Sequence, residues 1–268
     1  MIIVGELINA SRQAVTAAIE NKDTKAIQQL AIDQAENGAN YIDVNAGTFV
    51  GREAKYLTWL VETVQAVVDI PCCIDSPDPG AIEAALAVHK GTPMINSISL
   101  ESKRFSTLVP IVAGTDFKVI ALCMSDDGMP ETVEDRLTIA DKLVNGLTQK
   151  NINLNQIYVD PLVQPVSTNQ EFGIEFLKSV EQLITTYEGV HTMCGLSNIS
   201  YGLPNRAFIN QTFMSMAIAK GLDGAIVNPL DKRMMANIMA AEMLAGKDDS
   251  CMDYLKAHRA GKFEFSQK

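Results

Sequence analysis

The segment PCCIDSPDPGAIEAALAVHKGTPMINSI, residues 71–98, contains the pattern that decides the fold. It begins with a short apolar run, continues with an amphipathic stretch of helical periodicity, and ends with a second short apolar run. Asp78 is placed to cap the helix, and Pro79 suits its first turn because proline lacks the N–H group that this position leaves unpaired. A strand, a helix and a second strand in this order predict one βαβ unit of a parallel sheet.

The same alternation extends along the chain, and several of its helical stretches are followed by a glycine, such as Gly38 and Gly221. Eight such repeats favour the α/β class and a single (β/α)8 TIM barrel over an open doubly wound sheet. We expect one barrel domain over residues 1–268, in which the polar tail 247–268 forms a short helix and a loose end. The strand-like runs are residues 2–7, 40–46, 71–76, 93–98, 118–124, 156–161, 191–197 and 223–228.

The composition limits the classes of function. Of the 268 residues, 47% are hydrophobic and only 6% are aromatic, which suits buried parallel strands covered by helices. The formal charge of −10 disfavours nucleic acid as a partner, because such a surface repels phosphates. The five cysteines lack the spacing of a disulfide framework or a zinc site, and no metal site is predicted. Since no leader or membrane-spanning run is recognised, we expect a cytoplasmic protein.

Polar side chains stand at the predicted carboxyl ends of seven of the eight strands, where the active sites of such barrels lie. The ring that they form contains no Lys or Arg and no Ser–His pair, which disfavours phosphoryl transfer, Schiff-base chemistry and triad hydrolysis. Carboxylates and amides suit a flat heterocycle with amino, imino and oxo groups, such as a pterin. The residues of this ring are Glu6, Asn9, Asp43, Asn45, Asp75, Asn96, Asp160, Asn198 and Asn228.

Six segments in this order carry a resemblance to a known family. From about residue 1 to about residue 245 the chain resembles the pterin-binding methyltransferases. This family includes methyltetrahydrofolate:corrinoid/iron-sulfur protein methyltransferase and the folate domain of cobalamin-dependent methionine synthase, with the dihydropteroate synthases as more distant relatives. The segments are GELIN (5–9), YIDVNAG (41–47), IDSPDP (74–79), MINSIS (94–99), YVDPL (158–162) and GLSNISYGLPNR (195–206).

The resemblance implies methyl transfer between N5 of tetrahydrofolate and the cobalt of a corrinoid (cobalamin), in a direction that stays open. Tetrahydrofolate or 5-methyltetrahydrofolate is then the substrate. The corrinoid belongs to a partner protein, because the chain contains no segment that would supply its lower axial ligand. Asn198 is the expected catalytic residue and donates a hydrogen bond to N5 as the C–N bond breaks. Relatives form homodimers, and residues 234–246 (MMANIMAAEMLAG) could supply the apolar dimer face.

The resemblance also implies which residues bind the substrate. Asp75, Asn96 and Asp160 would hold the pterin ring, and Arg206 would help bind the folate or close over it. Tyr201 stands where relatives carry glutamine. The remaining candidate substrate-binding residues, which either contact the ligand or close the barrel mouth, are Glu6, Asn9, Asp43 and Asn45.

Two alternatives stay open at this point. A pterin enzyme of the dihydropteroate synthase type would need Lys and Arg for the pyrophosphate of its substrate, and no Lys stands at a predicted strand end. A non-catalytic folate-binding protein would bind 5-methyltetrahydrofolate equally well. It would show no turnover with free Co(I)-cobalamin.

Overall fold

The computed structural model describes residues 1–264 and contains eight strands. They are β1 (Ile2–Asn9), β2 (Tyr41–Asn45), β3 (Cys72–Asp75), β4 (Met94–Leu100), β5 (Lys118–Ser125), β6 (Ile157–Asp160), β7 (His191–Thr192) and β8 (Gly224–Val227). The strands are parallel in the order β7-β6-β5-β4-β3-β2-β1-β8. After β7, the carbonyl of Cys194 accepts from the N–H of Ile226 in β8 at 2.9 Å. This bond brings the two edges of the sheet together and confirms the predicted (β/α)8 barrel.

Ten α-helices lie in the described residues. They are α1 (Gln13–Glu20), α2 (Thr24–Glu36), α3 (Glu53–Gln65), α4 (Pro79–Leu86), α5 (Ser102–Val112), α6 (Val133–Thr148), α7 (Phe172–Thr186), α8 (Arg206–Ala219), α9 (Lys232–Leu244) and α10 (Met252–Arg259). The short α1 was not predicted, and its buried residues are only Val15 and Ile19. In this part of the chain, no helix has the length and apolar character needed to cross a membrane.

Local signals in the sequence end or begin helices as predicted. The Asp78 carboxylate accepts from the N–H of Gly80 at 2.9 Å, and Pro79 is the first residue of α4. Gly38 follows α2 with a φ of 98°, and Gly221 follows α8 with a φ of 105°. A positive φ suits glycine because a Cβ atom would clash with the backbone there.

The seventh strand is shorter than its predicted range of residues 191–197, because the chain leaves the ladder early. The N–H of Met193 still donates to the Val159 carbonyl at 2.9 Å, so the chain stays against β6 just beyond Thr192. It then turns into a 3-10 helix, Leu196–Ser200. Asn198 therefore lies on a helical turn above the strand and not at a strand end.

Side chains fill the interior of the barrel below the carboxyl ends of the strands. The open space for a site is therefore at those carboxyl ends. One buried cluster contains a residue from each of five strands and from the segment after β7. Such filling makes the barrel a packed core with a closed floor. The cluster consists of Val4, Cys73, Met94, Ile120, Tyr158 and Met193. The tail helix α10 was predicted, whereas the loose end falls partly on residues 265–268, outside the described residues.

Candidate active site

Three polar side chains lie at one level of the barrel mouth, on β2, β3 and β4. In the strand register Asn45 is the partner of Asp75, and Asp75 is the partner of Asn96. Parallel strands lie about 4.8 Å apart, so these residues are immediate neighbours. The Nδ2 atom of Asn45 donates to Oδ2 of Asp75 at 2.8 Å. The structure thus brings three of the predicted site residues together.

The pKa of Asp75 is raised toward neutrality, so the group changes its protonation state on mild acidification. Burial is the main cause that raises its pKa, to about 6, and the nearby Glu53 carboxylate raises it further. The hydrogen bond from Asn45 and the positive charge of Arg104 lower the pKa. A carboxylate in this state can accept hydrogen bonds from a ligand, but it loses this ability on mild acidification.

Asp43 lies one layer deeper than Asn45, on the same face of β2. Its side chain is only 2% exposed, and its Oδ1 atom has no hydrogen-bond partner in the described residues. Burial raises the pKa of Asp43 well above its ordinary value, and the charge of Asp75 adds to the effect. Interactions with Cys73 and Asn96 oppose this only in part. Asp43 therefore favours its protonated form, at the level of Cys73 and Met94 in the strand register.

Asp160 ends β6 and is separated from Asn96 by the intervening strand β5. Its side chain is buried, and Oδ1 accepts from the N–H of Leu162 at 2.8 Å. Burial raises the pKa of Asp160 to about 7, against the effect of backbone bonds from Leu162 and Gly195 and the charge of Arg136. Leu162 has a φ of 65°, which is rare for a residue with a side chain. The Asp160 bond helps hold this turn.

The side chain of Asn198 and the carboxylate of Asp160 both adjoin Gly195. The Nδ2 atom of Asn198 is 3.6 Å from the position that a Cβ atom would take on Gly195. The backbone of Gly195 also bonds to the Asp160 carboxylate. The Asn198 side chain makes no hydrogen bond within residues 1–264, so its N–H groups stay available. Tyr201, in the same loop, is 65% exposed.

Arg206, the first residue of α8, contacts the turn that carries Asn198. Its Nε atom donates to Oγ of Ser200 at 3.0 Å, and its Nη2 atom donates to the carbonyl of Ser197 at 2.5 Å. Burial raises the pKa of Glu6, and the charges of Arg12 and Arg206 oppose this effect. These contacts brace the turn. The expected contact of Arg206 with folate stays a prediction.

Glu6 and Asn9 are held by the segment that follows β1. The Nη2 atom of Arg12 donates to Oε1 of Glu6 at 2.6 Å. The N–H and hydroxyl groups of Ser11 donate to Oδ1 of Asn9 at 2.9 and 2.7 Å. Asn228 accepts in a similar way from the backbone two residues further on. The contacts of Glu6 and Asn9 favour the alternative that they close the barrel mouth.

Two arginines behind the acids were missed in the sequence, because they come from helices and not from strand ends. Arg104 lies in the first turn of α5, and the fully buried Arg136 lies in the first turn of α6. The Nε atom of Arg136 donates to the carbonyl of Pro161, directly after Asp160, at 2.9 Å. A positive charge in the first turn of a helix is unfavourable, because that end of the helix dipole is also positive. An arginine at such a position therefore indicates that its side chain binds a group outside its own helix.

A cavity of about 570 Å³ opens between the loops that follow β3, β4 and β5. Asp75 is the one predicted site residue on its wall. The apolar side chains of Leu122 and Met124 line it, together with the cations Lys103 and Arg104. A cavity of this size lies within the range of pockets that hold small ligands, and it adjoins the level of Asp75 and its neighbours.

Comparison with known protein families identifies the class of protein to which this fold belongs. The family of pterin binding enzymes matches residues 5–228, most of the chain. The chain therefore belongs to the pterin binding enzymes, which confirms the resemblance in the sequence.

Its relatives are more specific. The chain is 38% identical over 264 residues to the methylcorrinoid:tetrahydrofolate methyltransferase of Eubacterium limosum, which covers 98% of this chain and 97% of that protein. It is also 28% identical over 242 residues to the methionine synthase of Mycobacterium tuberculosis. That match covers 85% of this chain but only 20% of the methionine synthase, so the chain spans about a fifth of that relative.

Solved structures of dihydropteroate synthases share the fold. The enzyme from Coxiella burnetii in complex with pteroic acid has a TM-score of 0.72 at 14% identity, over 91% of this chain and 93% of that one. The enzyme from Xanthomonas albilineans has a TM-score of 0.68 at 16% identity, over 96% and 92%. Likeness at these identities concerns the fold alone.

Proposed function

We propose that this chain transfers a methyl group between N5 of tetrahydrofolate and the cobalt of a corrinoid carried by a separate protein. The observation that carries this proposal is the match to a methylcorrinoid:tetrahydrofolate methyltransferase over nearly the full length of both chains. The site supports it, because carboxylates and amides lie at the barrel mouth beside a cavity. The relative's name gives methylcorrinoid first, so transfer from the corrinoid to tetrahydrofolate is the first direction to test.

Asp75, Asn96 and Asp160 form the proposed pterin subsite. Ionised carboxylates accept hydrogen bonds from the amino and ring N–H groups of a pterin, and an amide both donates to the oxo group and accepts. The unpartnered Oδ1 atom of the buried Asp43 lies behind this set. A buried polar atom without a partner costs about 1–3 kcal/mol, so a ligand or a water molecule at this level would stabilise it. The residues present therefore fit a pterin.

Asn198 is proposed to act at N5. An amine leaves poorly, so N5 must receive a hydrogen bond or a proton as the C–N bond breaks. The unpaired N–H groups of Asn198 can donate a bond that strengthens as charge develops on N5. Asp75 and Asp160 contribute by holding the ring so that N5 faces the mouth. The corrinoid, when its protein is bound, supplies the cobalt that gives up or accepts the methyl group.

The proposal predicts turnover with free cobalamin. The purified chain is mixed with 5-methyltetrahydrofolate and cob(I)alamin, or with methylcobalamin and tetrahydrofolate, and the cobalamin absorbance is followed. Turnover in either direction is expected. Saturable binding of 5-methyltetrahydrofolate without turnover would instead identify a folate-binding protein. Formation of dihydropteroate from a pterin pyrophosphate and p-aminobenzoate would identify a dihydropteroate synthase.

We also propose a cytoplasmic location and a corrinoid protein that approaches over the barrel mouth. All five cysteines are free thiols, and four of them are buried. Free thiols and the absence of bridges among them suit a reducing compartment. The cobalt must come within bonding distance of N5, so the partner has to cover the mouth, and any further subunit contact must leave the mouth open.

We propose that the chain forms a homodimer through an apolar groove between α7 and α8. The groove measures about 420 Å³ and exposes the side chains of Ile174, Phe208 and Met216, of which Phe208 is 67% exposed. The helix face at residues 234–246, expected from the sequence, is a weaker candidate. Met234 and Ile238 are buried there, and the tail residues 260–263 share a cleft with this helix. A groove on the outer helices leaves both barrel mouths accessible.

Replacing Phe208 with glutamate should convert a dimer of about twice 29.1 kDa into a monomer, because a charge would be buried against the partner's apolar groove. Sedimentation at micromolar concentration measures the mass. Val50→Glu is a matched control, since Val50 is 88% exposed in the loop after β2 and away from the groove. If the wild-type chain sediments as a monomer, the homodimer proposal is wrong. If Phe208→Glu still sediments as a dimer, the dimer forms through another interface.

A further inference from the structure

Arg104 joins the loop after β3 to strand β4. Its guanidinium donates to three backbone carbonyls at once. These bonds join Nε to Ser97 at 2.6 Å, Nη1 to Pro77 at 3.0 Å and Nη2 to Ser76 at 2.8 Å. The first of these carbonyls belongs to the residue after Asn96, and the other two belong to the residues directly after Asp75. One planar group therefore ties together the chain segments that leave two proposed pterin ligands.

The position of Arg104 in its own helix does not account for these contacts. A cation in the first turn of α5 lies at the positive end of the helix dipole, which is unfavourable. The three carbonyls offset this cost. Arginine is also the side chain that suits the geometry, because its planar fork presents several N–H groups in fixed directions, whereas lysine presents a compact charge.

The charges around Asp75 come from three packed elements. Asn45 and the buried Asp43 belong to β2, Glu53 begins α3, and Arg104 belongs to α5. Asp43 and Glu53 are acids, and Asn45 is neutral. Arg104 is thus the cation that opposes the effect of burial on the pKa of Asp75 in the described residues. The same side chain fixes the loop after β3 against β4 and favours the ionised form of Asp75.

We propose that Arg104 is a positioning residue of the folate site, which ties the loop after β3 to strand β4 so that Asp75 and Asn96 receive the pterin ring at a fixed spacing. This inference rests on the proposed function, because it assumes that Asp75 and Asn96 bind a pterin. Arg104 acts through these two residues. It does two separable things: its fork fixes the loop after β3 against β4, and its charge favours the ionised form of Asp75.

Two substitutions separate the fork from the charge. Arg104→Lys keeps the charge and loses the fork, so the Kd for 5-methyltetrahydrofolate should rise about tenfold, which is about 1.4 kcal/mol, without a change in its pH dependence. Arg104→Gln loses both. Its Kd should rise at least as much, and the pH below which binding weakens should move upward.

The sign of the pH shift follows from the form of Asp75 that binds. The ionised carboxylate accepts N–H groups of the ligand, so affinity is lost as the pH falls through the pKa of Asp75. Without the Arg104 charge that pKa is higher, and the loss begins at a higher pH. Asp160 also titrates, and its contribution should stay in place. Carboxyl-carbon NMR of the unliganded chain follows Asp75 directly.

Arg52→Gln is the matched control. Arg52, like Arg104, lies at the start of a helix on the mouth side, as the N-cap residue of α3, but its guanidinium lies over the Tyr56 ring at 5.5 Å. Affinity and pH profile should match the wild type. Wild-type behaviour of both Arg104 variants, or loss of folding in both, would overturn the positioning role. A wild-type chain that binds no folate would instead overturn the proposed function, while the NMR titration would still decide whether Arg104 controls Asp75.

Discussion

Replacing Asp160 with alanine is expected to weaken the binding of 5-methyltetrahydrofolate by more than about tenfold, and toward a hundredfold. Hydrogen bonds to a charged group contribute about 1.5–3 kcal/mol each, and the buried Asp160 carboxylate is proposed to accept them from the pterin. Isothermal titration with the purified chain measures the effect. Asp127→Ala, which removes an exposed acid in the loop after β5, is the control and should bind as the wild type does.

The pH dependence of 5-methyltetrahydrofolate binding tests the role of Asp160 in a second way. Burial raises the pKa of Asp160 to about 7, so much of the group is protonated at neutral pH. If the ionised form binds the ligand, affinity should fall as the pH decreases through about 7 and rise above it. Asp160→Asn keeps an oxygen for the N–H of Leu162 but cannot ionise, so this part of the pH dependence should disappear.

Two results would contradict the role of Asp160. One is wild-type affinity in Asp160→Ala at pH 8, where the wild-type acid is mostly ionised. The other is an unchanged pH profile in Asp160→Asn, which would assign the titration near neutrality to another group. A loss of affinity that accompanies unfolding is recognised by circular dichroism, and in that case Asp160→Asn, which preserves the turn at Leu162, decides the matter.

Replacing Asn198 with alanine is expected to lower kcat by about 10²–10³, the usual effect of removing one hydrogen-bond donor that acts in the transition state. The Kd for 5-methyltetrahydrofolate should change by much less, because the bond to N5 strengthens only during reaction. Steady-state kinetics with free cobalamin and equilibrium binding on the same preparation separate the two effects. Asn198→Asp should behave like the alanine variant, since it keeps the size but loses the N–H groups.

Tyr201→Phe is the control for Asn198. Tyr201 lies three residues further along the chain and is 65% exposed. The substitution removes one hydroxyl group and should leave kcat within about twofold of the wild type. Equal losses in affinity and in kcat/KM, with kcat unchanged, would make Asn198 a binding residue alone. A wild-type kcat in Asn198→Ala would remove it from the reaction.

Much of the fold could be predicted, because the signals are local. Strand-like runs, the cap at Asp78 and the glycines 38 and 221 each lie within a few residues of the boundary that they set. The neighbouring positions of Asp75 and Asn96 also follow from the sequence. Equivalent ends of adjacent parallel strands must meet at one edge of the barrel, and the register confirms that these two do.

Other features of the site depend on contacts between distant residues. Arg104 reaches the carbonyl of Ser76, 28 residues earlier, and Arg136 reaches that of Pro161, 25 residues later. No local sequence pattern connects either arginine with the carbonyl that it binds. The raised pKa values of Asp43 and Asp160 likewise come mainly from burial, which depends on everything that packs around them.

The sequence by itself determined the barrel, the order of its elements and the place of Asp75 beside Asn96. Only the tertiary structure decided that arginines from α5 and α6 support Asp75 and Asp160, that Asn198 lies on a helical turn next to Gly195, and that the exposed apolar groove lies between α7 and α8. The physical reason is the distance along the chain over which each interaction acts. Periodicity and capping act over a few residues, whereas burial, charge and the reach of a guanidinium depend on which elements barrel closure brings together.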